Sequence, residues 1–352
     1  MMTGWDREYL ENKEEYLDLF DRIMQQEQER NIEFLEKSVV KLVGRKYAVA
    51  CGSGTDALHF ALLGLGIKPG DEVLATNFSW ISSSSCISMV GATPVFCDVD
   101  LDTYHISLDS IKRMCTEKTK AIVYPFLFGS MNDVAEILEF CKEKNIAFIE
   151  DACQALGSSL GGTNAGTIGD VSTLSFNANK VVAGIAGGGM ILTDDKEKAD
   201  LFRKLRKHGE HEVLGYNSKM LLSNAMFIDF RLKKIGVWQT KRQAIAKKYD
   251  EALRDLPVTI QEPSSDLNHN YHKYVVRFED KETRDMVKKQ LNASVHYGTP
   301  LAENEMYKYI QHRKDDCVNS KQISDTILSL PMNPYLTDDE INNVTNTIMI
   351  LI

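Results

Sequence analysis

Ala147-Phe148-Ile149-Glu150-Asp151-Ala152-Cys153-Gln154 decides how the chain is built. Its apolar start does not alternate with polar residues, so the strand it forms needs cover on both faces of a sheet. Just upstream, Asp133–Lys144 carries an amphipathic pattern of helical period, and helix followed by buried strand is the unit of a parallel α/β sheet. Working outward, similar short apolar runs predict strands at Tyr47–Cys51, Glu72–Asn77, Pro94–Val99, Ala121–Phe126, Ser172–Phe176 and Gly189–Thr193. With helices between most of them, the expected fold is α/β: a mainly parallel seven-stranded sheet covered by helices.

The flanks read differently. Residues 5–43 are charged and helix-prone, with Leu17, Phe20 and Ile23, then Phe34, Leu35, Val39 and Leu42, at helical spacing. After Lys196 a helix runs to Lys207, a polar loop covers His208–Asn217, and one long helix is expected over roughly Asn224–Leu253. Beyond Pro257 lies a smaller α+β segment with a strand at Tyr274–Phe278 and a last helix after Thr337. The expected division is a helical segment plus large domain over 1–235 and a small C-terminal domain over 236–352.

Of the 352 residues, 43% are hydrophobic and 26% charged, an ordinary balance for a globular protein, with ample material for a core. A net charge of −9, with no lysine/arginine stripe, argues against nucleic-acid binding. No apolar run approaches the ~20 residues that cross a bilayer. Met1-Met2-Thr3-Gly4-Trp5-Asp6-Arg7-Glu8 lacks the basic-then-apolar order of a signal peptide. Seven scattered cysteines, several in apolar segments and none in a Cys-x-x-Cys pair, read as buried free thiols, and a cytoplasmic location is expected.

Three stretches carry chemistry. Cys51-Gly52-Ser53-Gly54-Thr55-Asp56 ends a strand and opens a helix, where small residues and free N–H groups suit a phosphate; it also reads as a plain turn. Asp151 ends its strand, where ligands of open parallel sheets gather, and can pair with a protonated pyridine nitrogen or simply cap a helix. Lys180, in Ser175-Phe176-Asn177-Ala178-Asn179-Lys180, follows a core strand and precedes the glycine run Gly184–Gly189. A lysine is usually a solvated surface charge, but a desolvated one can bond an aldehyde. Together, phosphate cradle, acid and amine are the handles of pyridoxal 5'-phosphate. The eight dispersed histidines offer no metal-binding cluster. Gly157-Ser158-Ser159-Leu160-Gly161 spells a nucleophile elbow without its strand-to-helix context and reads as a loop.

These residues resemble the DegT/DnrJ/EryC1/StrS sugar aminotransferases, of the fold-type-I pyridoxal-phosphate enzymes. The resemblance is carried by Gly52 through Leu58, Gly70-Asp71-Glu72-Val73, Gly91 through Asp100, Glu150 through Gly157, Ser175 through Lys180 and Leu205 through Gly209. It continues in Tyr216 through Met220, His296 through Leu301 and Ser329-Leu330-Pro331, so it runs from about Phe34 to the C-terminus. It implies that Gly54, Thr55 and Ser175 donate to the cofactor phosphate and that Trp80 stacks on the pyridine ring. Asp151 would bind the ring nitrogen, Gln154 the ring hydroxyl, and Lys180 would hold the aldehyde. Asn217 would reach the phosphate of the neighbouring subunit, making a homodimer. The implied reaction is ping-pong: L-glutamate leaves its amino group on the cofactor as pyridoxamine phosphate, which passes it to a nucleotide-linked keto-sugar, with Lys180 moving the proton in both halves. Such a transferase serves deoxy-amino-sugar and polysaccharide biosynthesis. The sequence departs from the family at the charged N-terminal stretch Trp5–Arg30, at Gly184-Ile185-Ala186-Gly187-Gly188-Gly189, at Lys219 where arginine is common, and at Pro125–Gly129. A cyclitol or small phosphorylated ketone is the alternative acceptor, and a non-catalytic sugar-nucleotide or cofactor-binding regulator the alternative class.

Overall fold

The computed structural model describes residues 4–25, 32–261 and 263–352; the helix expected across 26–31 and the chain start 1–3 lie outside the described residues. Three helices precede the sheet: α1 (Gly4–Glu11), α2 (Lys13–Gln25) and α3 (Glu33–Val43). The seven expected strands are present as β1 (Tyr47–Cys51), β2 (Glu72–Thr76), β3 (Thr93–Cys97), β4 (Thr119–Pro125), β5 (Ala147–Asp151), β6 (Val171–Ser175) and β7 (Gly189–Thr193). Helices α4 (Gly54–Gly64), α5 (Ser82–Met89), α6 (Leu108–Met114), α7 (Ala135–Lys144) and α8 (Lys196–Leu205) alternate with them.

The sheet has eight strands rather than seven, in the order β1-β7-β6-β5-β4-β2-β3 with Arg313–Lys314 at the edge beside β3. That last pair is two polar residues long and comes from far along the chain, so no apolar run announces it. Pairing is parallel from β6 to the Arg313–Lys314 edge, whereas β7 runs antiparallel to both β1 and β6. Side-chain alternation explains the unbroken apolar runs. Ala48, Ala50, Leu74, Ile122 and Tyr124 face one apolar core with α3 and α7, and Val49, Cys51, Val73, Ala75, Ala121 and Val123 face another with α4, α5 and α8.

The long helix expected over 224–253 is two helices, α9 (Leu222–Leu232) and α10 (Ile235–Leu253). The break falls at Lys233-Lys234, where the Lys234 ammonium turns to Glu15 (2.9 Å) and Asn12 (2.8 Å) of the N-terminal helices. Hydrophobic periodicity cannot see that break, because it carries through on both sides. Another apolar core joins α10, a three-stranded antiparallel sheet of β8 (Val258–Ile260), β9 (Tyr274–Phe278) and β10 (Ile327–Leu330), α11 (Lys281–Leu291) and α13 (Asp338–Leu351); α12 (Val318–Thr326) packs beside β9. Thr337 and Glu340 close a reciprocal capping box at the start of α13. Ser159–Leu160, expected as loop, forms a short strand with Thr163–Asn164 and Leu267–Asn268.

Two buried ion pairs fix the N-terminal helices. Glu36 of α3 accepts from Arg206 (2.7 Å) and from the Ala50 N–H (2.9 Å), while Arg206 also donates to the Ala50 carbonyl (2.6 Å). This pins α3 and the end of α8 to β1 just before the glycine turn. Glu8 of α1 accepts from Arg231 of α9 at 2.9 Å, under the ring of Trp5, 4.0 Å from the guanidinium. Removing one partner of such a pair leaves a buried charge and costs about 3–5 kcal/mol. All seven cysteines are unpaired.

Candidate active site

A cleft of about 390 Å³ opens at the carboxyl ends of β1, β2, β5 and β6, the place where open α/β sheets bind ligands. Gly54, Thr55, Trp80, Asp151, Gln154, Ser175 and Lys180 all line it. Asn217 does not. It lies exposed on a loop whose neighbours are tied down: Ser218 accepts from the Gly52 N–H (2.9 Å) and donates to Asp56 (2.7 Å), and Tyr216 meets His59 at 2.9 Å.

The phosphate-sized end is built by β1 turning into α4. Ser53 caps α4 by accepting from the Asp56 N–H at 3.0 Å, leaving the first turn's N–H groups facing the cleft. The Thr55 hydroxyl meets that of Ser82 at 2.8 Å. Glycine is required where three backbones converge. A Cβ on Gly54 would lie 2.8 Å from Ser175 Cβ, and one on Gly189 only 2.1 Å from the Ser53 carbonyl oxygen. Past Lys180, Asn224 of α9 braces the glycine loop, donating to the Gly187 carbonyl (2.7 Å) and accepting from the Ala186 N–H (3.1 Å).

At the centre, Asp151 is buried at the end of β5. It accepts from the Ser83 hydroxyl (3.1 Å) and the Cys153 N–H (3.1 Å), so the helix-cap reading is partly met by a local N–H while further lone pairs stay available. Ser83 is in turn bonded to Ser79 at 3.0 Å. Lys180 is half-buried, and desolvation pushes its amine below the usual lysine value against the opposing pull of Cys153 and Asp151. A less proton-hungry amine is what bonding to an aldehyde needs. Trp80 is 60% exposed at the rim, its ring 6.4 Å from Tyr297, which rules out a core tryptophan. Gln154 is held from both ends, accepting from the Phe128 N–H (2.9 Å) and donating to the Tyr297 hydroxyl (3.0 Å). One amide hydrogen remains for a ligand.

Ser83, Asn224, His272, Lys273, His296 and Tyr297 join the site without having been singled out as site residues. Tyr297 and His296 lay in a block that marks the family, but Lys273 carries no local signal: it follows the irregular stretch before β9 and reaches the cleft only through folding.

The residues fit pyridoxal phosphate: a glycine-lined helix start for the phosphate, a buried carboxylate for the ring nitrogen, and a desolvated amine for the aldehyde. Fold and donor set together define an α/β transferase of the pyridoxal-phosphate class. The sequence profile of the DegT/DnrJ/EryC1/StrS aminotransferase family matches residues 11–349, and the chain belongs to that family. It is similar to a protein of Geobacillus stearothermophilus named pleiotropic regulatory protein, 31% identical with 96% of this chain and 95% of that one covered. It is also similar to a UDP-N-acetyl-3-dehydro-alpha-D-glucosamine 3-aminotransferase of Acidithiobacillus ferrooxidans, 32% identical over 89% of this chain and 86% of that one. A crystal structure of a DegT DnrJ EryC1 StrS aminotransferase from Brucella abortus superposes with a TM-score of 0.92 at 26% identity, covering 99% of each chain.

Proposed function

We propose that this chain moves an amino group from L-glutamate to the keto group of a nucleotide-linked sugar in two half-reactions, working as a homodimer in the cytoplasm. The observation that carries the reading is one cleft holding a desolvated Lys180, a buried Asp151 and a glycine-lined helix start. The Acidithiobacillus relative, whose name gives a UDP-linked keto-sugar as its substrate, supports the acceptor class.

Pyridoxal phosphate, when bound, supplies an aldehyde and a ring that draws electrons from a substrate carbon. The protein does the rest. Gly54, Thr55 and Ser175 would hold the phosphate, and Asp151, kept in place by Ser83 and the Cys153 N–H, would hold the ring nitrogen protonated. Gln154 contacts the ring hydroxyl and Trp80 covers a ring face. Lys180 anchors the aldehyde between turnovers. Once free of the aldehyde, its Nζ would take the proton from the donor α-carbon and, in the second half-reaction, deliver one to the sugar carbon that held the keto oxygen. Asn217, exposed and outside its own cleft, completes the partner's phosphate site. With the domains divided at 235/236, the small domain supplies His272, Lys273, His296 and Tyr297, so substrates enter between the two.

The Geobacillus relative's name favours a second reading, a regulator that binds the ligands without turnover. The purified protein, incubated with L-glutamate and a panel of UDP- and GDP-linked keto-sugars, is expected to yield 2-oxoglutarate and an amino-sugar. Borohydride reduction should weld the pyridoxyl group to residue 180, and Lys180→Ala should abolish both results. A panel with no turnover removes the nucleotide-sugar acceptor; a protein that neither labels nor loses its yellow colour with glutamate is the regulator.

A further inference from the structure

A second chamber of about 230 Å³ adjoins the cleft, and His272, Lys273 and His296 line both spaces. The chamber is walled by Asn292, Ser294 and Ser329 on its polar side, and by the turn Leu330-Pro331-Met332 on the other.

In a protein of net charge −9, this junction is locally positive. Among the described residues lining the main cleft, the lysines are Lys180 and Lys273, no arginine contributes, and Asp151 is the one carboxylate. The second chamber has no carboxylate lining it at all among those residues. Burial lowers the Lys273 amine to about 8, with Lys180 and Arg242 adding repulsion, so it still carries a proton at neutral pH. The two histidines do not compensate. Burial holds His296 near 4 and His272 well below its usual value, and both stay neutral. His296 is occupied by Ser329 at 2.9 Å, and His272 Nδ1 is buried with no partner among the described residues. A half-buried ammonium lining a polar chamber with no carboxylate among its described lining residues has no counter-charge there, and an incoming anion supplies one.

We propose that Lys273, which lines both spaces, is the residue that recognises a carboxylate of the amino donor, with the chamber receiving the rest of a short dicarboxylic acid. The inference deepens the aminotransferase reading and rests on it for the identity of the donor. Lys180 cannot play this part, since it is committed to the aldehyde and to the proton. A short diacid is the natural occupant because the chamber is too small for a nucleotide and none of Gly54, Thr55 and Ser175 lines it.

The test uses the holoenzyme and glutarate, a diacid with no amino group and therefore no turnover. Calorimetry should show glutarate binding to the wild type, and Lys273→Met, which keeps the stem and removes the charge, should weaken it by about 10–100-fold, as loss of a charge-assisted hydrogen bond requires. Lys273→Arg should recover most of the affinity. In rapid mixing, the L-glutamate concentration for half-maximal bleaching of the bound cofactor should rise by a similar factor in Lys273→Met, a larger change than in the nucleotide-sugar half-reaction. Glutarate affinity unchanged in Lys273→Met, no glutarate binding in the wild type, or a loss confined to the sugar half-reaction each overturns the proposal. Should glutarate bind through Lys273 while glutamate fails to bleach the wild-type cofactor, the carboxylate site stands and the aminotransferase reading falls.

Discussion

Adding one methyl group at Gly54 should separate cofactor binding from folding. Its Cβ would sit 2.8 Å from Ser175 Cβ, 3.0 Å from Ser175 Oγ and 3.4 Å from Cys153 Sγ. The nearest atom is a Cβ, not the mobile tip of a side chain, so relief requires β6 and the start of α4 to part. Overpacking of this kind costs about 1–3 kcal/mol. The same displacement pulls the Ser175 hydroxyl and the first N–H groups of α4 away from the phosphate they would share under the proposed function. Losing one charged hydrogen bond of roughly 1.5–3 kcal/mol raises the dissociation constant by about 10–150-fold. Gly54→Ala is therefore expected to lower the melting temperature of the cofactor-free protein by several degrees and to weaken pyridoxal phosphate by about two orders of magnitude at most, read by absorbance titration. Gly236→Ala is the control. It meets nothing within 4 Å inside α10 and should stabilise by about 0.5–1 kcal/mol with unchanged cofactor affinity. If Gly54→Ala binds pyridoxal phosphate within twofold of the wild type, the convergence of β1, β6 and β7 does not form the phosphate site.

Asp151→Asn keeps the shape and an acceptor for the Cys153 N–H while removing the charge; turnover should fall by about 10²–10³-fold with the melting temperature nearly unchanged, and a variant that mainly unfolds would instead mark Asp151 as a structural cap. The pH dependence of glutarate binding has a definite sign. Lys273 must be protonated to pair with a carboxylate, and its amine is lowered to about 8, so affinity should be flat below about pH 7 and decline as pH rises through 8. Of the groups facing it, His272 and His296 stay neutral across that window, Arg242 titrates only near 10, and Lys180 would be bonded to the aldehyde in the holoenzyme under the proposed function. A calorimetric profile level from pH 6.5 to 9.5 would exclude Lys273 as the charge involved.

Local pattern was enough to place the sheet. Most of β1 to β7 are short apolar runs whose two faces feed two cores, so local composition reveals them; Asp151 and Ser175 end strands, and Gly54 and Lys180 follow strand ends that the same pattern defines. The strand Arg313–Lys314 could not be read that way, because two polar residues gain their place by pairing with β3 and by the Arg313 ion pair with Glu72 (2.7 Å), partners far away in the chain. Nor could the break between α9 and α10, which Lys234 earns by reaching Glu15 and Asn12 more than two hundred residues away in the chain.

The sequence by itself therefore determined the α/β class, the family and the positions of the amine and carboxylate, since all three are written in contiguous residues. Tertiary structure alone decided what surrounds them. Ser83 bonding to Asp151, Asn224 bracing the glycine loop, Tyr297 holding Gln154 and Lys273 opening on a second chamber are contacts between segments far apart in sequence. Burial and desolvation, which set the charge state of each amine, belong to the packed molecule and to no stretch of it.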